Sequence, residues 1–148
     1  MRIRQGPLPG SVADGITRGV VRLMNDMGLS PLLEFRLTNK RRVDVAAIDR
    51  DGRFTIIEVK SSLTDYRTDG KWHEYLPYCD YFYFAVDPDF PREQLPDDAG
   101  LIIADSYEAA ILRSADEVPM NVNRRRTQTL RFARTGASRL AGRDDPAI

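Results

Sequence analysis

Apolar residues recur at helical spacing through Val12, Ile16, Val20, Leu23 and Met27, which predicts an amphipathic helix near the start of the chain. Ser11 is a good N-cap, Asp14 three residues later completes a capping box with a shorter acid, and Gly28 stops the helix. The period then changes to two. Leu33, Phe35 and Leu37 alternate with Glu34, Arg36 and Thr38, the pattern of a half-buried strand. Asn39 and Lys40 mark a turn, and residues 43–48 and 54–59 read as the next two strands. Residues 61–70 are polar and irregular, with part of them helical. Residues 71–76 read as a short helix ended by Pro77.

The run YFYFAV at 81–86 is strongly β-prone and apolar on both faces, which suits an interior strand. Pro88, Pro91 and Pro96 mark a long loop before a buried strand at 100–104. Residues 107–113 suit a short strand or a helical turn. Residues 122–140 form the last predicted helix, with Leu130, Phe132 and Ala133 facing inward. The expected order is αβββαββ plus a C-terminal helix, an α/β fold with a mixed sheet flanked by helices. Residues 1–10, with two prolines and two glycines, are expected to be loosely ordered, and residues 141–148 to form a flexible tail.

A chain of 148 residues suits one domain with a real core. No apolar run is long enough to span a bilayer, and the first ten residues lack the apolar stretch of a secretory signal. A cytoplasmic location with no membrane partner is the expectation. Cys79 is the only cysteine and His73 the only histidine, so an internal disulfide and a Cys/His zinc site are both excluded. A metal here would be hard and oxygen-bound, which points to magnesium or manganese. Net charge is zero, yet residues 121–143 hold seven arginines and no acid, while residues 87–117 are mostly acidic. Such segregation suits a basic patch for phosphates on a neutral molecule, or an arginine-rich solubilising tail.

The chemistry concentrates in the text RRVDVAAIDRDGRFTIIEVKSS. Glu58 and Lys60 are two apart on a strand and point the same way. Asp44 joins them only in one hairpin register. A two-residue Asp51-Gly52 loop would set Asp44 opposite Val59, facing away from Glu58. A three-residue Arg50-Asp51-Gly52 loop pairs Asp49 with Arg53 and Asp44 with Glu58. Asp49 suits the first position of a type I turn and Gly52 the left-handed residue after it, which favours the second register. Ala46, Ile48, Phe54 and Ile56 then share the face of the acids, with Val43, Val45, Ile57 and Val59 on the other. Both faces are mostly apolar, so helices should cover both, and an acid pair there is unfavourable without a compensating cation.

This arrangement of helix, strand, Asp strand and Glu-x-Lys strand resembles the PD-(D/E)XK nuclease superfamily. Arg42-Val43-Asp44 stands where its Pro-Asp element would be, without the proline, and Glu58-Val59-Lys60 matches the second element unchanged. More closely, the chain is similar to the MmcB-like DNA repair proteins of bacteria. The matching text adds DGKWHEY, CDYFYFAV, DDAGLIIAD and RRRTQTLRFAR, and so spans most of the sequence.

The resemblance implies a DNA repair protein with a magnesium-dependent (or manganese-dependent) endonuclease site hydrolysing phosphodiester bonds. Asp44, Glu58 and the Val59 backbone carbonyl would bind the metal, with Asp14 or Glu34 as a further ligand. Lys60 would orient the attacking water. Lys71 and Tyr75, four apart on a helix, would contact phosphate, and Arg124, Arg125 and Arg126 would make sequence-independent phosphate contacts. The expected partners are DNA and other repair proteins, and a homodimer is compatible because many members of the superfamily are dimers. The alternative is a catalytically inactive nuclease fold that binds DNA or a repair partner. A third reading makes Glu58 and Lys60 a structural ion pair.

Overall fold

The structure, a computed structural model, describes residues 10–147. The segment expected to be loose, residues 1–10, therefore lies outside it except for Gly10. Helix α1 (Val12–Asp26) begins on the expected capping box. The Asp14 N–H donates to Ser11 Oγ at 3.2 Å, and the Ser11 N–H donates to Asp14 Oδ2 at 3.1 Å. Gly28, at φ +80°, lets the chain leave the helix through the left-handed region. The buried stripe is Ile16, Val20 and Met24. Met27 and Val12, expected inside, are exposed, because the stripe follows the four-residue ridge rather than drifting to Met27.

Six strands follow: β1 (Ser30–Arg36), β2 (Arg42–Ile48), β3 (Phe54–Val59), β4 (Tyr81–Val86), β5 (Gly100–Ala104) and β6 (Ala109–Arg113). They lie in one sheet in chain order, with β3–β4 and β4–β5 parallel and the other pairs antiparallel. The β3–β4 crossover carries α2 (Leu63–Thr68) and a 3-10 segment, Trp72–Tyr78. Helix α3 (Val122–Asp144) closes the chain. The molecule is thus a mixed α/β sheet flanked by helices, with β6 as a sixth strand where residues 107–113 left strand and helical turn open.

The two sheet faces carry separate apolar layers. On one, Ile16, Val20 and Met24 of α1 pack on Val45, Ile57, Tyr83 and Ile102. On the other, Trp72 and Tyr75 pack with Phe35, Phe54, Ile56, Phe82 and Phe84. Trp72 stacks on Phe82 at 5.5 Å between ring centroids, so it is a packing anchor. β3 lies between these layers and is buried at every residue.

Helix α3 departs most from its expectation. Leu130 is 62% exposed and Ala133 is exposed, whereas Gln128 is buried and its Nε2 donates to the Tyr78 carbonyl at 2.8 Å. Phe132 alone of the expected inner residues reaches the core, meeting Phe35 and Phe54 edge-on at 5.4 and 5.6 Å. The helix touches the sheet along a narrow stripe, so a wide apolar face is not required. It also runs to Asp144, so residues 141–144 are helical rather than tail. No helix among the described residues is long and apolar enough to cross a membrane.

Candidate functional site

The β2–β3 turn has the three-residue form. The Asp49 N–H donates to the Arg53 carbonyl at 3.0 Å and the Gly52 N–H to the Asp49 carbonyl at 3.1 Å, with Gly52 at φ +87°. Asp49 Oδ1 also accepts from the Asp51 and Arg53 N–H groups, which fixes the turn. The resulting pairs, Ala46↔Ile56 and Ile48↔Phe54, set Asp44 level with Glu58.

The ladder ends at Val45↔Ile57, and side chains take over from backbone beyond it. The Asp44 N–H donates to Glu58 Oε1 at 3.2 Å, and the Val59 N–H donates to Asp44 Oδ2 at 2.7 Å. The two acids thus bridge the splayed ends of their own strands. A second irregularity lies alongside. Glu34 has φ +46°, unusual for a residue with a side chain, and falls between the pairs Leu33↔Val45 and Phe35↔Val43. The pairing register is kept across it, but the facing changes. Val43 packs with Phe35 and Leu37, not with Val45 as the alternation implied. Both strands turn over together here, and Asp44 lies at the point where they do so.

Lys60 follows β3 and is 4% exposed. Its Nζ donates to Asp69 Oδ2 at 2.6 Å and sits 3.8 Å from Glu58 Oε2. Burial raises the Glu58 carboxyl, the Asp44 charge raises it further, and it reaches about 8. Asp44 is raised as well, chiefly by burial. Burial alone would lower Lys60, but the Asp69 bond and the Glu58 charge leave its amine raised. Asp69 is lowered, since the bonds from Lys60 and the Lys71 N–H outweigh its own burial. The site therefore holds two acids that resist ionising together and a lysine kept charged.

These groups open on a cleft of about 680 Å³ whose wall includes Asp14, Glu34, Arg42, Asp69 and Tyr75. Asp14 and Glu34 thus border the cleft, yet among the described residues no group of three or more His, Cys, Asp or Glu converges to hold a metal ion. One oxygen of Asp14 is already committed to the α1 cap. Tyr75 is 6% exposed and borders the cleft, but Lys71 does not. The expected shared face fails because the segment is a 3-10 helix, which aligns every third residue, and Lys71 is its N-cap.

The arginines of the α3 start are not at the cleft. Arg125 Nη1 donates to Asp80 Oδ2 at 2.9 Å and to the Gly52 carbonyl at 2.7 Å. Asp80 also accepts from the N–H of Phe54, the first residue of β3, whereas Glu58 lies near its other end. The Arg125 guanidinium is thus a structural partner of a buried acid and not an open phosphate site. Arg124 lies 5.0 Å over the Tyr78 ring, and Arg126 is exposed at the same end. Sequence reading missed Asp69, the closest partner of Lys60, because nothing periodic links residues nine apart through a short helix. It also missed Arg42, the first residue of β2, as a basic residue on the wall of the cleft.

A mixed sheet with two carboxylates and a buried lysine at one edge of a cleft defines an α/β protein with an acid-and-lysine site at its strand ends. The chain belongs to the MmcB-like family of DNA repair proteins, whose model, described as "DNA repair protein MmcB-like", matches residues 9–147. A solved structure of a protein of unknown function from Silicibacter pomeroyi is 38% identical over 95% of this chain and 96% of its own, with a TM-score of 0.91. A repair endonuclease from Pyrococcus abyssi is similar over 57% of this chain and 41% of its own, at 15% identity and a TM-score of 0.38. No curated protein matches the chain.

Proposed function

We propose that this protein is a metal-dependent DNA endonuclease of the PD-(D/E)XK type, with Asp44, Glu58 and Lys60 as its catalytic residues. The observation that carries the reading is the convergence of Asp44 and Glu58, both raised in pKa, beside the buried amine of Lys60. A pair of buried carboxylates at one site is unfavourable unless something cationic offsets it. Lys60 offsets it only in part, since its shorter contact is with Asp69.

The donor set fits magnesium or manganese. Each carboxylate gives one oxygen to a backbone N–H and keeps the other clear of the backbone, and both are hard ligands. Magnesium needs only one or two protein carboxylates, with waters and phosphate oxygens completing its shell. Asp44 and Glu58 would hold the ion, with the Val59 carbonyl as a third oxygen. The ion would supply Lewis acidity at the phosphate and a more acidic bound water. Lys60 would hold that water in line and stabilise negative charge on the phosphate as it is attacked. The Val59 N–H keeps Asp44 oriented, and the Asp44 N–H keeps Glu58 oriented, so the acids need no rearrangement to bind.

A cleavage assay over nicked, branched and single-stranded DNAs, with and without magnesium or manganese, tests the reading. Asp44→Ala, Glu58→Ala and Lys60→Ala should each reduce cleavage by about a thousandfold or more while leaving the far-UV circular dichroism unchanged. Metal-independent cutting, or cutting that survives all three substitutions, rules it out. The second reading, a DNA-binding module that does not cut, is favoured by the Lys60–Asp69 contact of 2.6 Å and by the lack of a third converging acid. It predicts DNA association without product in every condition.

A further inference from the structure

The cleft that holds Asp44 and Glu58 does not end at the sheet. It shares Leu33, Glu34 and Arg42 with a recess of about 440 Å³ that adds Arg36, Thr135 and Arg139. That recess in turn shares Thr135 and Arg139 with a groove of about 530 Å³ along α3, lined by Thr127, Arg131, Arg134 and Ser138. The three hollows are contiguous. They run from the acids, across the edge strand β1, and onto the outer face of the last helix.

The chemistry of this path is uniform. Its second and third parts are lined by Arg36, Arg42, Arg131, Arg134 and Arg139, against the single acid Glu34. Among the described residues, the side chains of Arg42, Arg131 and Arg134 have no ion-pair or hydrogen-bond partner. Arg139 has a different role. Its guanidinium donates to the Leu33 carbonyl and, at 2.9 Å, to the Glu34 carbonyl, so it clamps α3 to the kinked part of β1. The clamp joins the helix groove to the cleft. Thr127, Thr135 and Ser138 place hydroxyl groups between the cations, the donors that phosphate oxygens accept from. No aromatic side chain lines the two outer parts, so no platform for base stacking exists there. Apart from Gln128, the α3 side chains are exposed or only half-buried, more surface than its packing role alone would leave open.

We infer that the path from Arg42 over β1 to Arg131 and Arg134 of α3 is a track for the DNA phosphate backbone, which leads the strand to the Asp44–Glu58 cleft. The track reads charge and not sequence, and its cations are those of the middle and far half of α3, not the arginine triplet at its start. The inference rests on the nuclease reading for what lies at the end of the track, but not for the binding itself.

The test is fluorescence anisotropy of the full chain with labelled 25-nucleotide single-stranded and duplex DNA of random sequence, in EDTA so that nothing is cut. R131Q/R134Q should weaken binding about tenfold and lower the salt slope of log K by about 2, one unit for each lost phosphate contact. R124Q/R126Q, which removes the same charge at the other end of the helix, should change affinity by less than about twofold. Thermal melting of each variant checks that folding is intact, and R42Q supplies an independent point on the track from another element. Equal losses in the two double variants, no loss in R131Q/R134Q or in R42Q, or no binding by the unmutated chain would overturn the inference. Binding that depends on Arg131 and Arg134 without metal-dependent cutting sinks the nuclease reading and leaves the track. Cutting that ignores their removal does the reverse.

Discussion

Glu58 is an acid held where its charge is least welcome, and that has a measurable signature. Its carboxyl titrates near 8 in the folded chain against an ordinary value of 4.5, because of burial and then Asp44. Between those values the folded chain keeps a proton that the unfolded chain has lost. Stability from this group is therefore full below about pH 4.5 and falls as pH rises towards 8. Glu58→Gln keeps the acceptor for the Asp44 N–H and removes the titration. It should be more stable than the unmutated protein at pH 8 by about 1–3 kcal/mol, with the gap closing towards pH 5, as read from urea unfolding in EDTA. Much of this site is legible in the residues. The period of two puts Glu58 and Lys60 on one side, and the chemistry of Asp49 and Gly52 chooses the register that brings Asp44 level. What sequence could not show is the turnover at Glu34 and Asp44, because alternation presumes a strand that never changes face. The Lys60–Asp69 contact is hidden for another reason, since it depends on where a six-residue helix happens to end.

At the scale of elements, two of the contacts that join the last helix to the sheet lend themselves to substitution. Asp80 is 1% exposed and accepts from the N–H groups of Phe54 and Met120 as well as from Arg125. Its burial would raise its carboxyl, but these three donors together leave it lowered. Asp80→Ala strips a half-buried guanidinium and two amides of their partner at once, and should cost about 3–5 kcal/mol in chemical denaturation. Phe132 is the other contact. Phe132→Ala should cost about 2–3 kcal/mol, whereas Leu130→Ala, on the exposed side, should stay within about 0.5 kcal/mol. The reverse ordering would mean that α3 is rotated from its position here. The strands were legible because YFYFAV and GLIIA can only be interior, and a short edge strand such as β6 was ambiguous because none of its residues is fully buried. The helix face of α3 was misread because a narrow contact stripe leaves exposed leucines looking like core.

For the whole molecule, zero net charge conceals a strong asymmetry. The seven arginines of 121–143 were visible in the sequence, but which of them remain open was not: Arg125 is drawn to Asp80 and Arg139 to backbone carbonyls. Partner choice is settled only in three dimensions. The same holds for a cation at Asp44 and Glu58, which would bind the folded chain and not the unfolded one. Manganese should therefore stabilise the fold by RT ln(1 + [Mn]/Kd), about 2.7 kcal/mol at a hundredfold excess over Kd, read as a rise in melting temperature. The shift should be larger at pH 8 than at pH 6, since proton and metal compete for the same oxygens, and it should vanish in Glu58→Ala. A shift of equal size in that variant would locate the ion elsewhere.

The acids are anchored to β3, which has no residue at the surface and neighbours on both sides. An interior strand of this kind opens only when everything around it opens. The amides of Ile56 and Ile57 should therefore be among the slowest to exchange with deuterium, and heat should abolish the chemistry and the fold in a single step, with no temperature at which a folded but locally melted cleft persists.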